Sequence, residues 1–94
     1  MKKARDCQSC EVLEQIPNVG KACVEDFRLL GIHKPQDLCG RDAFSLYQQL
    51  CIVTGRRHDP CVLDTLMAAV DFMSGGPAKR WWEFTAERKR LYQL

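Results

Sequence analysis

Long hydrophobic runs are missing from this sequence of 94 residues. No apolar stretch approaches the roughly 20 residues that a membrane-spanning helix needs, so we expect no membrane contact. The first residues are basic, but no apolar segment follows them, and we therefore do not expect a secretory signal peptide. These absences together predict a cytoplasmic protein.

The sequence motifs of catalysis are also missing. There is no nucleophile elbow, no glycine-rich phosphate-binding loop and no histidine pair at metal-binding spacing. A redox role for Cys7 and Cys10 would require a thioredoxin-like alternation of strands and helices, which the sequence does not show. Asp59 and Asp64 look like an acid pair, but a helix cap and a solvated helix face explain them better. We expect no enzymatic activity.

Cysteine, by contrast, is abundant, with six residues in the chain. Disulfide scaffolds are typical of secreted domains, and the expected cytoplasmic location argues against one. A zinc site built from the Cys7/Cys10 and His58/Cys61 pairs is one alternative, and an approach of Cys51 to Cys61 is another. We favour free thiols that pack as small hydrophobic side chains, with no metal and no cofactor.

Helical periodicity runs through the chain, and we find no strand pattern. The strongest segment is Pro60–Met73, which is apolar on nearly all sides and begins with proline after Asp59, a good cap. It predicts the most buried helix, with Asp64 and Asp71 on a narrow exposed stripe. Further helices are predicted over residues 10–15 with Ser9 as the cap, 21–30, 42–54 and 77–90, with a short one starting at Pro35.

One apolar face of each predicted helix defines the expected core. In the helix over residues 42–54 this face consists of Ala43, Leu46, Tyr47, Leu50 and Val53. In the last helix we expect an apolar stripe that packs on the body and basic side chains that lie mostly in solvent. The stripe is formed by Trp81, Phe84 and Leu91, and the basic residues are Lys79, Arg80, Arg88, Lys89 and Arg90. Two alternatives remain open for Trp82, which either packs or stands exposed to stack on bases or clamp a partner.

A tight turn joins two helical patterns between residues 13 and 32. Pro17, Asn18 and Gly20 punctuate it, since proline fixes φ while asparagine and glycine tolerate the left-handed backbone. The pattern resembles the helix-hairpin-helix motif of DNA-binding proteins, whose turn holds a glycine, an aliphatic residue and a second glycine. Val19 and Gly20 match the last two positions, whereas Asn18 departs from the first.

The hairpin resemblance implies contact with DNA. Free N–H groups at the start of the second helix face a phosphate, and the helix dipole favours the negative charge. In this sequence the contacts would come from the backbone N–H groups of Val19, Gly20 and Lys21 and from the Lys21 ammonium. Asn18 can adopt the required backbone angles, but we expect its side chain to crowd the phosphate. The alternative is a protein-interaction domain in which the hairpin serves packing alone.

Positive charge is concentrated at the two ends of the chain, and the net charge is only +2. Residues 6–74 carry six Lys or Arg and ten Asp or Glu, so the body is acidic. Nonspecific DNA binding depends on neutralising phosphates with Lys and Arg. We therefore expect weak, sequence-independent binding, strengthened only if the basic ends fold beside the hairpin.

Further stretches resemble a small bacterial family over about residues 12–90. They are residues 46–51 (LYQQLC), 54–55 (TG), 59–64 (DPCVLD), 81–82 (WW) and 85–88 (TAER). On these motifs the chain is identified as a member of the pathogenicity-locus family, also labelled mitomycin-resistance proteins. The resemblance implies a helical, cytoplasmic helix-hairpin-helix protein and suggests work on nucleic acid or DNA damage.

The sequence thus predicts an all-α fold, a small bundle of five to six short helices with one helix-hairpin-helix motif in a SAM-like architecture. We expect a flexible segment over residues 1–8 and a single domain over residues 9–94.

Overall fold

The computed structural model describes residues 2–94 and is helical, with no strand in that part of the chain. It contains four α-helices, α1 (Lys21–Leu29), α2 (Ala43–Thr54), α3 (Pro60–Met73) and α4 (Thr85–Tyr92). Four single 3₁₀ turns accompany them, at Cys7–Ser9, Leu13–Gln15, Pro35–Leu38 and Trp81–Phe84. The all-α prediction is confirmed, but the count of five to six helices is not, because several predicted helices are only 3₁₀ turns. No helix between residues 2 and 94 is long and apolar enough to cross a membrane.

Helix α3 forms the centre of the fold. The Asp59 carboxylate accepts the N–H of Cys61 at 3.0 Å, and Pro60 occupies the first helical position, as predicted. Eight of its fourteen residues are buried. The helix packs against α2, α4 and two of the 3₁₀ turns, so nearly its whole circumference faces protein.

Helix α2 begins and ends at the predicted signals. Asp42 caps it by accepting the N–H of Ser45 at 3.1 Å, and Gly55 ends it with a φ of 70°. The predicted apolar face is buried except at Val53, which is 49% exposed. The prediction for Val53 was wrong because Thr54 turns inward instead and binds a residue of the link between α2 and α3.

That residue is His58, which is buried. Its Nε2 lies 2.8 Å from the hydroxyl of Thr54. The Thr54 hydroxyl donates to the carbonyl of Leu50 at 2.8 Å. The Tyr47 hydroxyl donates to the His58 carbonyl, and the His58 N–H donates to the sulfur of Cys51 at 3.5 Å. These bonds hold the α2–α3 link in one conformation.

The first helical turns differ from the predicted helix over residues 10–15. Ser9 is not the cap of that helix but lies inside an earlier 3₁₀ turn, where its N–H donates to Asp6 at 2.9 Å. The side chain of Gln15 accepts the N–H groups of Glu11 and Val12. The second 3₁₀ turn is therefore limited to three residues, Leu13–Gln15.

The segment before these turns lies against the body. Met1 is outside the described residues. The N–H of Ala4 donates to the carbonyl of Gln15 at 2.8 Å, and the Lys3 ammonium binds the carbonyls of Glu14 and Val19. Lys3 is therefore placed at the turn that precedes α1.

The C-terminal helix starts later than predicted. Residues 77–80 are irregular, and a 3₁₀ turn at Trp81–Phe84 leads into α4. Phe84 is buried and Trp81 is half-buried, but Leu91 is 48% exposed, so the predicted apolar stripe was wrong at that position. The change of helix type after Phe84 rotates the later residues away from the expected face.

A buried ion pair joins α4 to α3. Arg88 Nε donates to Asp64 Oδ1 at 2.7 Å, and the Thr85 hydroxyl donates to Asp64 Oδ2 at 2.8 Å. Arg88 also donates to the carbonyl of Leu94. The predictions that Asp64 and Arg88 face solvent were both wrong, because the packing of α4 on α3 covers Asp64 with a charged partner.

Candidate nucleic-acid interface

The turn before α1 is anchored by a buried aliphatic side chain. Val19 is buried, and its N–H donates to the carbonyl of Ile16 at 3.1 Å. Of the amides predicted to face a phosphate, that of Val19 is thus already bonded within the protein. Val19 supports the turn from inside, while Gly20 and Lys21 lie on its exposed side.

The start of α1 carries no side-chain cap. Gly20 occupies the N-cap position with a φ of −108°, which any residue adopts, and a Cβ placed there would meet nothing within 4 Å among the described residues. Neither backbone strain nor packing therefore demands glycine at this position. Because Gly20 has no side chain, the N–H groups in the first turn of α1 stay open to a partner from outside the protein.

Asn18 fastens this turn to the C-terminal segment. Its backbone has a φ of 71°, in the left-handed region. Its side-chain Nδ2 donates to the carbonyl of Lys79 at 2.7 Å, and its Oδ1 accepts the N–H of Trp81 at 3.2 Å. The side chain that we expected to crowd a phosphate is instead bonded to residues more than sixty positions away.

Two grooves that border the turn are rich in basic side chains. The first is lined by Lys3, Lys21 and Arg28 together with Glu14 and Glu25. In this groove the positive charges exceed the negative ones by only one.

The second groove lies on the other side of Lys3. Lys3, Lys79 and Arg80 line it, and none of its described lining residues is acidic. Both basic ends of the sequence thus contribute to the surface around the turn, the arrangement that was expected to strengthen DNA binding. Sequence reasoning missed this part of the site, because only the tertiary contacts of Lys3 and Asn18 reveal it.

Not every basic residue of the C-terminal segment joins this surface. Arg88 is bonded to Asp64, and Arg90 lies 3.8 Å from Glu87 on the exposed side of α4. Of the basic residues at the C-terminal end, Lys79 and Arg80 are the ones that line the second groove.

All six cysteines are free. In the described residues no three His, Cys, Asp or Glu side chains lie close enough to hold a metal ion, so the alternative four-ligand zinc set is not assembled.

Cys23 and Cys61 line a third groove between α1 and α3. Burial raises the pKa of the Cys23 thiol to about 12 and also raises the pKa of Cys61. A thiol with so high a pKa is protonated at neutral pH and is a poor nucleophile.

Replacing Asn18 with alanine is expected to lower the free energy of unfolding by about 2 kcal/mol, through two lost hydrogen bonds and a positive φ that alanine resists. Replacing it with glycine keeps the backbone angle and should cost about 1 kcal/mol. Urea unfolding followed by circular dichroism measures both values. If the glycine variant were as stable as the native protein, the bonds to Lys79 and Trp81 would not hold the segment in place.

Comparison with known proteins identifies the family. The chain matches the family model described as Pathogenicity locus, Cdd1, over residues 6–90. It is also 44% identical over 79 residues to a Streptomyces lavendulae protein named mitomycin resistance protein McrB, and the match covers 84% of this chain and 75% of the other. No solved structure shows a significant match. The family resemblance predicted from the motifs is confirmed, and the chain belongs to the Pathogenicity locus (Cdd1) family.

Proposed function

We propose that this protein is a DNA-binding module that contacts the phosphate backbone with a helix-hairpin-helix-like element, formed by the 3₁₀ turn at Leu13–Gln15, the turn at residues 16–20 and helix α1. The observation that carries the proposal is the convergence of Lys3, Lys79 and Arg80 on the turn that exposes the start of α1. These side chains come from the two ends of the sequence. Their positive charges offset the negative charge of the body at the proposed contact surface.

The proposed phosphate contacts are backbone N–H groups at the start of α1 and the Lys21 ammonium. Because the Val19 amide is bonded to Ile16, the contact falls on the amides of Gly20 and Lys21. Anions at a helix N-terminus gain from the helix dipole as well as from the N–H groups. Such contacts reach only phosphate oxygens, so binding should be independent of base sequence.

We further propose that the module acts in the cytoplasm as a binding protein without catalytic activity, in a process linked to mitomycin resistance. The support for this link is the name of the Streptomyces lavendulae relative.

Lys21→Glu is expected to weaken binding to a short duplex by about tenfold or more, because it places a carboxylate against the phosphate. For the native protein, about three phosphate contacts would lower the affinity about 40-fold between about 50 and 200 mM salt. Fluorescence anisotropy with labelled duplex measures both effects. The matched control is Lys34→Glu, since Lys34 is exposed and does not line either groove beside the turn.

A second variant tests the same contact without changing charge. Serine at an N-cap accepts an N–H from the first helical turn. Gly20→Ser should therefore keep or raise the melting temperature of the protein while it weakens DNA binding, because its side chain crowds a phosphate that approaches the amides of Gly20 and Lys21. Unchanged DNA affinity in both Lys21→Glu and Gly20→Ser would show that the hairpin is not the contact surface.

The second candidate function is a protein-interaction domain in which the hairpin is structural. The observation that favours it is the neighbouring pair Ile52 and Val53 on the last turn of α2, where Ile52 is 79% exposed. Large exposed apolar side chains are common at sites of association. Sedimentation of the native protein and of Ile52→Glu separates the two functions, since only the interaction domain should lose an associated species with this variant.

A further inference from the structure

We propose that the exposed ring of Trp82 stacks on an unpaired base, so that the preferred ligand of the module is single-stranded or gapped DNA rather than continuous duplex. This inference rests on the proposed function and names the substrate class of the same site. It is carried by the exposure of Trp82 and by the charged groups placed next to it.

Trp82 is 55% exposed although it is among the largest apolar side chains of the protein. Its neighbour Trp81 is half-buried and meets it edge-to-face, with ring centroids 5.7 Å apart and an interplanar angle of 84°. Phe84, at the end of the same 3₁₀ turn, is buried in the core. The turn is therefore anchored on both sides of Trp82 while the Trp82 ring itself stays accessible.

A cation lies over one face of the exposed ring. The guanidinium carbon of Arg80 is 5.7 Å from the centroid of the Trp82 ring. Arg80 also lines the basic groove with Lys3 and Lys79. A basic groove beside an accessible aromatic ring is the combination that proteins use to bind single strands, in which the groove follows the backbone and the ring takes a base.

The ring and the phosphate contacts belong to one surface. The N–H of Trp81 is bonded to Asn18, which lies two residues before Gly20 and the start of α1. Trp82 follows Arg80 by two residues, and two residues of extended chain span at most about 7 Å. Trp82 therefore lies close to Arg80 and to the groove that Arg80 lines. A nucleotide whose phosphate occupies this groove is thus within reach of the Trp82 ring.

An unpaired base is the occupant that this arrangement favours. In a continuous duplex, stacking on neighbouring bases covers both faces of each base, so no face is free for Trp82. A single strand, a gap or an extruded base offers a free face, and base–aromatic stacking of this kind tolerates any sequence. The basic residues around the ring select a polyanion over a neutral apolar partner.

The test compares three probes, which are a short duplex, the same duplex with a gap and the corresponding single strand. The native protein should bind the gapped and single-stranded probes more tightly than the duplex. Trp82→Ala should lose about 5- to 100-fold in affinity for those two probes and little for the duplex. Trp82→Phe keeps an aromatic ring and should retain most of the preference. Melting temperatures confirm that each variant is folded.

Fluorescence provides an independent readout that does not depend on affinity. In Trp81→Phe the only tryptophan is Trp82, and stacking on a base should quench its emission with the single strand but not with the duplex. Equal affinity for all probes, unaffected by Trp82→Ala, would overturn this inference and leave the proposed function standing. Equal losses for duplex and single strand in Trp82→Ala would also overturn it. Failure to bind any of the probes would remove both proposals.

Discussion

Arg88→Ala is expected to lower the free energy of unfolding by about 3–5 kcal/mol, one of the largest effects of any single substitution in this protein. Arg88 and Asp64 are both buried, and their ion pair is 2.7 Å long. Removing the guanidinium leaves the carboxylate of Asp64 in the interior without its counter-ion, and burying an unpaired charge is costly. Urea unfolding monitored by circular dichroism gives the value.

Arg90→Ala is the matched control for this prediction. Arg90 lies on the same helix, but its pair with Glu87 is exposed and 3.8 Å long, so its loss should change stability by less than about 1 kcal/mol. A double variant, Asp64→Leu with Arg88→Met, should recover most of the stability lost in Arg88→Ala, because it removes both charges. Equal effects of Arg88→Ala and Arg90→Ala would show that the buried pair contributes nothing to stability.

The parts of the fold that are encoded locally were predicted well. Helix α3 has the predicted bounds, because Asp59 and Pro60 act within one turn of the helix that they start. Helix α2 likewise begins after Asp42 and ends at Gly55, as expected from capping. Such signals involve residues two to four positions apart, so they act in the same way whatever the rest of the fold does.

The errors concern residues whose environment depends on distant parts of the chain. Asp64 was assigned to solvent because a carboxylate on an apolar helix usually lies there. Its partner Arg88 follows 24 positions later, and no periodicity within α3 indicates such a partner. Val53 was assigned to the buried face for a similar reason, since only the fold of the α2–α3 link places His58 against Thr54.

The candidate site shows the same division between local and distant information. Gly20 and Lys21 follow from the turn pattern alone. The contribution of Lys3 and Lys79 does not follow from any sequence pattern, because it depends on how the two ends of the chain fold back against the turn. Asn18 has both a local and a long-range role. Its left-handed backbone shapes the turn, and its side chain holds the segment that carries Lys79.

Folding and proposed binding are therefore coupled through the C-terminal segment. The segment is fixed to the turn by Asn18 and to α3 by the Asp64–Arg88 pair at its far end. Trp82 lies between these two attachments. Loss of either one should loosen the surface on which the proposed base stacks, even under conditions in which α1–α3 remain folded.

Leu66→Ala is expected to lower the free energy of unfolding by about 2–5 kcal/mol, the range observed for leucine truncations in well-packed cores. Leu66 lies in the middle of α3 and is almost fully buried, and α3 is packed against α2, α4 and two 3₁₀ turns. Neighbours on so many sides cannot collapse into the space left by the side chain, so a cavity should remain. The urea midpoint should fall accordingly, with little change in the dependence of stability on urea.

Ile52→Ala is the matched control for Leu66→Ala, because it removes a similar aliphatic side chain from a helix position that is 79% exposed. Its effect should stay within about 0.5 kcal/mol, since little apolar area is buried there. Small domains have total stabilities of about 5–15 kcal/mol, so Leu66→Ala alone can remove a large share of the total. A loss below about 0.5 kcal/mol in Leu66→Ala would mean that α3 is not the centre of the core, and the burial of Asp64 on the same helix would then need another explanation.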